Sequence, residues 1–502
     1  MSKKIRFLSL LLALLMVASV FVACGETEEP GVQTDGDATN GAAVTEQETD
    51  PVEDALTALR GEVDWGGKDF GILYVNEFGY TEEVEAEQSV TNESSSAVIN
   101  DAVFERNTLF EEYCNLTFVL IPVSNGAVVG RIQGEVQTST GDFQLITTTT
   151  DTAANNATSG YLFNYLDLEE TIDYEQEWWD AGTLEFALDG KVFFMDGPFN
   201  IVDDDVTFVL MFNKQLREER KLANPYDTVR AGDWTLDYFN SIISNLSNDS
   251  NGDGKMDEND TYGFSTPGSI GNTFFYGAGL QYVVNSRDMD APELVLDEKM
   301  EQALDVLAVS RSIVHDNNST YVASQGSEAL SKEVFVQGRS LFYCEAASYL
   351  RGLNATMERE YGVIPVPKYN KEQAHYTTWR HSIGSTLSIP TSIAKDEDTL
   401  EQFALVLETY TVLSQKLVRP AYYEVMLTTR NVQDVESSDM LDLIFQHRTY
   451  DMAMYFTTLG FGNLFEEAVK STGDNFSSRY AGASKTFDRK IATILRKLQN
   501  PR

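Results

Sequence analysis

The sequence predicts an α/β protein built as two lobes joined by crossing strands, on three observations. Short apolar runs suited to buried strands alternate with segments of helical apolar spacing between residues 70 and 147, a comparable alternation resumes after Val206, and no Gly/Pro/Ser-rich linker separates the two stretches. The composition allows it: of 502 residues, 42% are apolar and 11% aromatic, enough for large cores at a mean hydropathy of −0.26. Asp and Glu number 78 against 37 Lys and Arg, a formal net charge of −41. Such a field repels phosphate backbones, which excludes nucleic acid as a partner.

The chain opens on an address. Lys3, Lys4 and Arg6 precede an apolar run from Phe7 to Ala23, the pattern of a secretory signal over residues 1–23. The run falls short of the ~20 residues that a membrane span needs. It ends in Phe21-Val22-Ala23-Cys24-Gly25, which resembles the lipobox of bacterial lipoproteins, with Phe21 where Leu is usual. That resemblance implies acylation of Cys24, which would hold the protein at a membrane surface without a spanning helix. Ordinary cleavage after Ala23 is the alternative. Residues 24–64 are dominated by Glu, Asp, Thr, Gly and Ala and are expected to be a disordered, self-repelling tether.

The folded elements follow in order. Phe70 to Val75 reads as a buried strand, Ser96 to Tyr113 as a helix with Val98, Ile99, Ala102, Val103, Phe104, Leu109 and Phe110 at helical spacing, and Leu116 to Ile121 as the next strand. Val129 to Thr138 reads as a helix and Asp142 to Thr147 as a third strand. This order implies a largely parallel sheet with ligands beyond the carboxyl ends of its strands. Asn76 and Glu77 follow the first strand, and Thr150 and Asp151 follow the third, so these four are candidate contacts; plain loop polarity is the alternative. Thr207 to Phe212 is the strand that opens the second alternation, and Thr235 to Leu246 is a helix with Leu236, Phe239, Ile242, Ile243 and Leu246 on one stripe.

At this point the chain resembles the extracellular solute-binding proteins that feed ABC transporters, in particular the group similar to maltose-binding protein. The resemblance rests on the order and spacing of FVLMFNKQL (Phe208 to Leu216), NPYDTVRAGDWTLDYF (Asn224 to Phe239), EVFVQGRSLFYCEAASYL (Glu333 to Leu350), YGVIPVPKY (Tyr361 to Tyr369) and SIGSTLSIPTSIAKDEDTLEQFALVLETY (Ser382 to Tyr410). It implies the two-lobed, type II periplasmic-binding-protein-like fold, with discontinuous lobes. Crossings are then expected near Asp203 to Val206, Thr377 to His381 and Ser414 to Pro420, with residues 65–206 and 379–416 in lobe 1 and 207–378 and 417–502 in lobe 2. It also implies capture of a carbohydrate or oligosaccharide, delivery to a membrane permease of an ABC importer, a monomeric state, and no catalysis.

A sugar cleft calls for aromatics that stack on ring faces and for polar side chains that take hydroxyl hydrogen bonds. By position the candidates are Phe275 and Tyr276, Tyr343 and Glu345 after the Gly-Arg turn, Trp379 and Arg380 at the returning crossing, and Asp205 beside the first, with Trp178 and Trp179 a weaker pair. Core packing is the alternative for each aromatic, and a solvated hinge charge is the alternative for Asp205.

The segment DSNGDGKMDEND matches an EF-hand loop: Asp249, Asn251 and Asp253 at positions 1, 3 and 5, Lys255 offering its carbonyl at 7, Asp257 at 9 and Asp260 at 12. A structural Ca²⁺ is expected there, weakened by Asp260 where Glu is usual; an acidic turn without metal is the alternative. The four His form no HExxH pair, and no GxSxG elbow or glycine-rich phosphate loop occurs. Cys114 and Cys344 are expected as buried free thiols. From a different class, a secreted Ca²⁺-dependent carbohydrate-active enzyme also suits the acidic surface and the Ca²⁺ loop.

Overall fold

The computed structural model describes residues 51–499 except 58, 60, 87–94, 269, 317, 324–325, 394–396, 430–431, 434, 472 and 474. The expected signal, Cys24 and the tether up to residue 50 lie outside the described residues. Within the rest of the expected tether, Pro51–Thr57 form a helix (α1). Its apolar side chains recur at helical spacing, and Leu56 is buried against the same core that takes Val52, Ala55, Leu59, Val63 and Trp65. The acidic composition of the tether therefore gives way to a folded segment before residue 64.

The first sheet is built from β1 (Asp69–Val75), β2 (Thr117–Val123), β3 (Leu145–Thr149) and, much later in the chain, β9 (Ser385–Ser388), in the order β9-β3-β1-β2. β1 pairs in parallel with both β2 and β3, whereas β9 returns antiparallel to β3. β1 is buried from Phe70 to Val75 because helices cover both faces, the arrangement that a continuous apolar run requires. Gly71 is obligatory within it, since a Cβ there would lie 2.2 Å from the Asp142 carbonyl oxygen. Between these strands run α2 (Thr81–Val84), α3 (Ser95–Cys114), α4 (Val128–Thr138) and α5 (Thr150–Asn156). The third strand begins three residues later than its sequence pattern suggests and runs on into the Thr-rich stretch Thr147–Thr149, all buried.

A short helix, α6 (Ile201–Asp205), leads into the second sheet. That sheet comprises β4 (Phe208–Asn213), β5 (Tyr262–Thr266), β6 (Thr320–Val322), β7 (Ser340–Ala346) and β8 (Tyr361–Ile364), in the order β8-β4-β7-β5-β6. β5 is parallel to β6 and β7, while β4 is antiparallel to β7 and β8. Its covering helices include α7 (Leu236–Ile243), α8 (Gly271–Gly277), α9 (Glu328–Val336) and α10 (Ser348–Thr356). α7 starts where Thr235 accepts a hydrogen bond from the Tyr238 N–H, a serviceable N-cap. Phe239, on its buried face, meets Trp234, Phe264, Phe274 and Phe342, all within ring-contact distance.

The chain then returns through β9 to α11 (Glu397–Leu413), which packs on α1 and α3 of the first sheet's side. Its last turns pass through a π-helical stretch, Ser414–Val418, into α12 (Arg419–Leu427), which packs against α3 as well as against α13 (Val435–Gln446) and α10. Three passages therefore connect the two sheets, at α6, at residues 377–384 and at the π-helical stretch. Cys114 and Cys344 are buried free thiols, as expected.

Candidate functional site

Hydrogen bonds between the passages set the geometry of the junction. Phe208 N–H donates to the Trp379 carbonyl (3.1 Å) and His381 N–H to the Val206 carbonyl (3.0 Å), so the first two passages run side by side. On one side of them Thr150 N–H reaches the Gly384 carbonyl (2.9 Å), and on the other Ala347 N–H reaches the Thr207 carbonyl (2.8 Å). The carboxyl end of β3 and that of β7 thus meet across the passages, and β1 and β5, parallel to them, direct their carboxyl ends to the same place. This is where open α/β sheets bind ligands.

Beneath the junction lies a network of buried charge. Asp203 and Asp204 of α6 both receive Arg448 Nη1, at 2.6 and 2.8 Å, and Arg448 Nη2 reaches Asp180 at 2.5 Å. Arg380, on the second passage, is fully buried; it pairs with Asp196 at 2.6 Å and with Asp203, and its guanidinium lies over the Tyr450 and Tyr455 rings. Arg419, just past the π-helical stretch, pairs with Asp204 at 3.2 Å. Gly384 sits tight against this group, because a Cβ there would lie 3.0 Å from Arg380 Nη1 and 3.2 Å from Asp203 Oδ1. Burial raises the Asp180 carboxyl, but Arg448, Tyr450 and Arg380 together more than offset this and hold it below its ordinary value.

A second group ties α2 to the junction. Arg351, on α10 beside the second sheet, pairs with Glu82 of α2 at 2.6 Å and with Asp205, which also accepts from Tyr422 Oη at 3.0 Å. Next to it, Glu83 is buried, accepting the Val202 N–H (2.6 Å) and the Ser385 hydroxyl. Burial pushes its carboxyl up to about 8.

The expected contact residues divide sharply. Asn76 and Glu77 face solvent at the end of β1, and Asp151 is half-buried at the start of α5, accepting from the Thr149 hydroxyl (2.6 Å). Thr150 is buried and its hydroxyl is given to the Gly384 carbonyl. Phe275 and Tyr276 are core residues instead: GNTFFYG has the look of a loop but forms α8, buried along its whole length, where Phe275 stacks on Tyr282 at 4.7 Å and Tyr276 hydrogen-bonds Asp451. Tyr343 is likewise sealed, stacked on Phe335 at 5.6 Å. Trp379 stacks on Phe208 at 4.9 Å and donates its indole N–H to Thr273. Arg380 and Asp205 are scaffold ions, paired with opposite charges as described above. Trp179 packs among Tyr165, Tyr174 and Phe199, with Trp178 beside this core. Glu345 is 9% exposed at the end of β7, and burial pushes its carboxyl up to about 7.

Sequence reasoning missed three solvent-facing rings at the junction. Phe78, 43% exposed, follows Glu77 with a left-handed φ of 61°, an orientation that turns the ring outward from the β1 end. Tyr349, 36% exposed, opens α10 beyond β7. His381 keeps contact with solvent beside Trp379, 5.8 Å between centroids, and burial by the surrounding protein lowers its imidazole although Asp151 lies near. The Phe-Gly pair after a strand was a usable signal for the first; nothing local marked the other two.

In the segment 249–260 the side chains close the loop on itself. Asp249 accepts from the Gly252 and Gly254 N–H groups, Asp253 from Lys255, and Asp260 from Ser250 and Asp257. Asn251 accepts from the Asp253 N–H, and the Asp257 carbonyl takes the Tyr262 hydroxyl. Among the described residues no three His, Cys, Asp or Glu converge as a metal site.

Two stability predictions follow from the charges. Arg448→Met should lose about 3–5 kcal/mol by leaving Asp180, Asp203 and Asp204 short of a partner, whereas Arg230→Met, which breaks exposed pairs to Glu436 and Asp439, should lose about 1 kcal/mol or less; chemical denaturation compares them. For Glu83, the folded value lies above the ordinary 4.5, so the stability its protonated form supplies is complete below that value and is lost as pH rises through about 8. Glu83→Gln should therefore gain on the wild type steadily from about pH 5 to about pH 8.5 in the same assay, and a constant difference would contradict the assignment.

No family model matches the chain, and no curated protein matches it in sequence. Solved structures do match. M. tuberculosis UspC aligns at a TM-score of 0.53 with 14% identity, over 83% of this chain and 99% of that one. The galacto-N-biose/lacto-N-biose I-binding protein of the Bifidobacterium longum ABC transporter, in complex with lacto-N-biose, gives 0.51 and 14%, over 86% and 98%. An ABC substrate-binding protein of Listeria monocytogenes in complex with cycloalternan gives 0.50 and 11%, over 85% and 99%. The chain therefore has the two-lobed α/β fold of ABC transporter substrate-binding proteins.

Proposed function

We propose that this protein is a lipid-anchored, extracytoplasmic solute-binding protein that takes a carbohydrate or oligosaccharide between its lobes and delivers it to an ABC importer, without turnover. The observation that carries the reading is the meeting of strand carboxyl ends from both sheets across the three passages, with Asn76, Glu77, Phe78 and Asp151 from one side and His381, Glu345 and Tyr349 from the passage and the other side. Exposed rings beside hydrogen-bonding side chains are what a sugar demands, apolar ring faces against aromatics and hydroxyls against carboxylates and amides. A solute that touches both lobes favours the closed arrangement because those contacts exist only there. The lacto-N-biose and cycloalternan complexes named above have the same fold and support the class of solute. The lipobox ending in Cys24 supports the anchor, and among the described residues no helix is long and apolar enough to cross a membrane.

Thermal shift against a panel of neutral and charged oligosaccharides tests the reading. A raised melting temperature at one-to-one stoichiometry with no new reducing ends is the expected result, and release of reducing ends would replace binding with hydrolysis. Phe78→Ala and Tyr349→Ala should each weaken the best binder by roughly tenfold while leaving the melting temperature of the free protein within a few degrees, since both rings are solvent-facing.

We also propose that the 249–260 loop takes a structural Ca²⁺. Its oxygen spacing supports this, as does the backbone already curled around Asp249 and Asp260, whose carboxylates retain free lone pairs beyond the N–H groups they accept. Calorimetric titration of Ca²⁺ into chelator-treated protein should show one site, and Asp249→Asn should abolish it. No heat at millimolar Ca²⁺ would sink this part of the proposal.

A further inference from the structure

We propose that the β7 end of the second lobe is a subsite for a solute bearing a protonated amine, with Glu345 as the residue that selects it. This rests on the solute-binding reading above and names the solute class more narrowly.

Glu345 is 91% withdrawn from solvent, yet among the described residues it has no cationic partner. Its one hydrogen bond comes from the adjacent Ala346 N–H at 3.0 Å. A carboxylate this deep costs several kcal/mol to ionise without a partner, and elsewhere at the junction that cost is met by guanidinium: Asp196 and Asp203 have Arg380, Asp204 has Arg448 and Arg419, and Asp205 has Arg351. Glu83, the other buried acid here without an ion pair, accepts from the Val202 N–H and the Ser385 hydroxyl, whereas Glu345 accepts only from its neighbour's N–H. Burial pushes its carboxyl up to about 7, so a cation arriving beside it would restore full ionisation.

The surroundings fit a donor and not an acceptor. Tyr349, its ring 6.3 Å from that of Tyr343, presents a partly exposed aromatic face, and Glu345 and Glu328 both act on its hydroxyl. The basic side chain at this end, Lys332, is drawn over the Tyr349 ring at 5.3 Å, and Arg351 is held by Glu82 and Asp205. Across the junction the solvent-facing acids are Glu77 and Asp151. A carboxylate beside a partly exposed tyrosine recognises an alkylammonium group by a charge-assisted hydrogen bond, and it repels a uronate or phosphate.

Calorimetry with a matched set decides the matter: the β1,4-linked glucosamine dimer, its di-N-acetyl form, cellobiose, and a digalacturonate. The amine should bind roughly tenfold or more tightly than its N-acetyl form and cellobiose, and the uronate should not bind. Glu345→Gln, which preserves shape, should remove the preference for the amine, so that the variant binds the glucosamine dimer and its di-N-acetyl form equally within about twofold. Equal affinity for amine and N-acetyl forms in the wild type, a measurement that needs no variant, would overturn the inference and leave the carbohydrate reading standing. Failure of every member to bind would overturn both.

Discussion

The structure depends on charge sealed between the passages. Moving an ionised carboxylate or guanidinium out of water costs several kcal/mol per ion, so Arg380, fully buried, and Arg448, nearly so, are tolerable only where acids reach them from more than one segment. The acids come from α6 and from Asp180 and Asp196 on the first sheet's side, while the cations come from the second passage, from the end of the π-helical stretch and from the residues after α13. All three passages are thereby fastened to one another in a single network. A hinge assembled this way has a fixed axis: the lobes can move about the passages, but the passages cannot slide apart without exposing unpaired charge to a low-dielectric interior.

That constraint explains where the aromatic residues went. Trp379, Phe208 and Tyr276 stack in one column beside Arg380, and Tyr450 and Tyr455 lie under its guanidinium. These rings exclude water from the network and so are unavailable to a ligand. The groups left facing solvent are the few that the strand ends carry past the passages, Phe78 and Tyr349 among them. The π-helical turn Ser414–Val418 interrupts the α-helical hydrogen bonding between α11 and α12, an irregularity often found at functional sites.

The alternating strand and helix pattern was legible residue by residue, because a run such as Phe70 to Val75 has no soluble alternative to burial. The β3 end was less so: Thr147–Thr149 are polar by type but buried, and their backbone pairs with β9 some 240 residues later, a partner that no local pattern announces. α8 shows the opposite: Gly at both ends and Asn and Thr between left Phe275 and Tyr276 as candidate contacts, although tertiary packing makes GNTFFYG a core helix. The buried network was not legible at all. Arg448 and Asp180 are 268 residues apart, and neither sits in a local pattern that sets it off from the many surface charges of a chain with net charge −41. Asp151 was placed from strand order, since the carboxyl end of a parallel strand is where a doubly covered sheet leaves side chains free, whereas Glu345 was placed by its position after the Gly-Arg turn.

The central claim is that solute is held between the strand ends of the two sheets, across a hinge fastened by buried ions. A crystal structure of the protein with the tightest-binding saccharide of the panel tests it most directly. The account predicts the saccharide in contact with residues of both sides at once, Glu77 or Asp151 from the first and Glu345 or Tyr349 from the second, with the Arg380–Asp203–Arg448 pairs unchanged. A saccharide lodged on one lobe alone, or a network rearranged on binding, would contradict it.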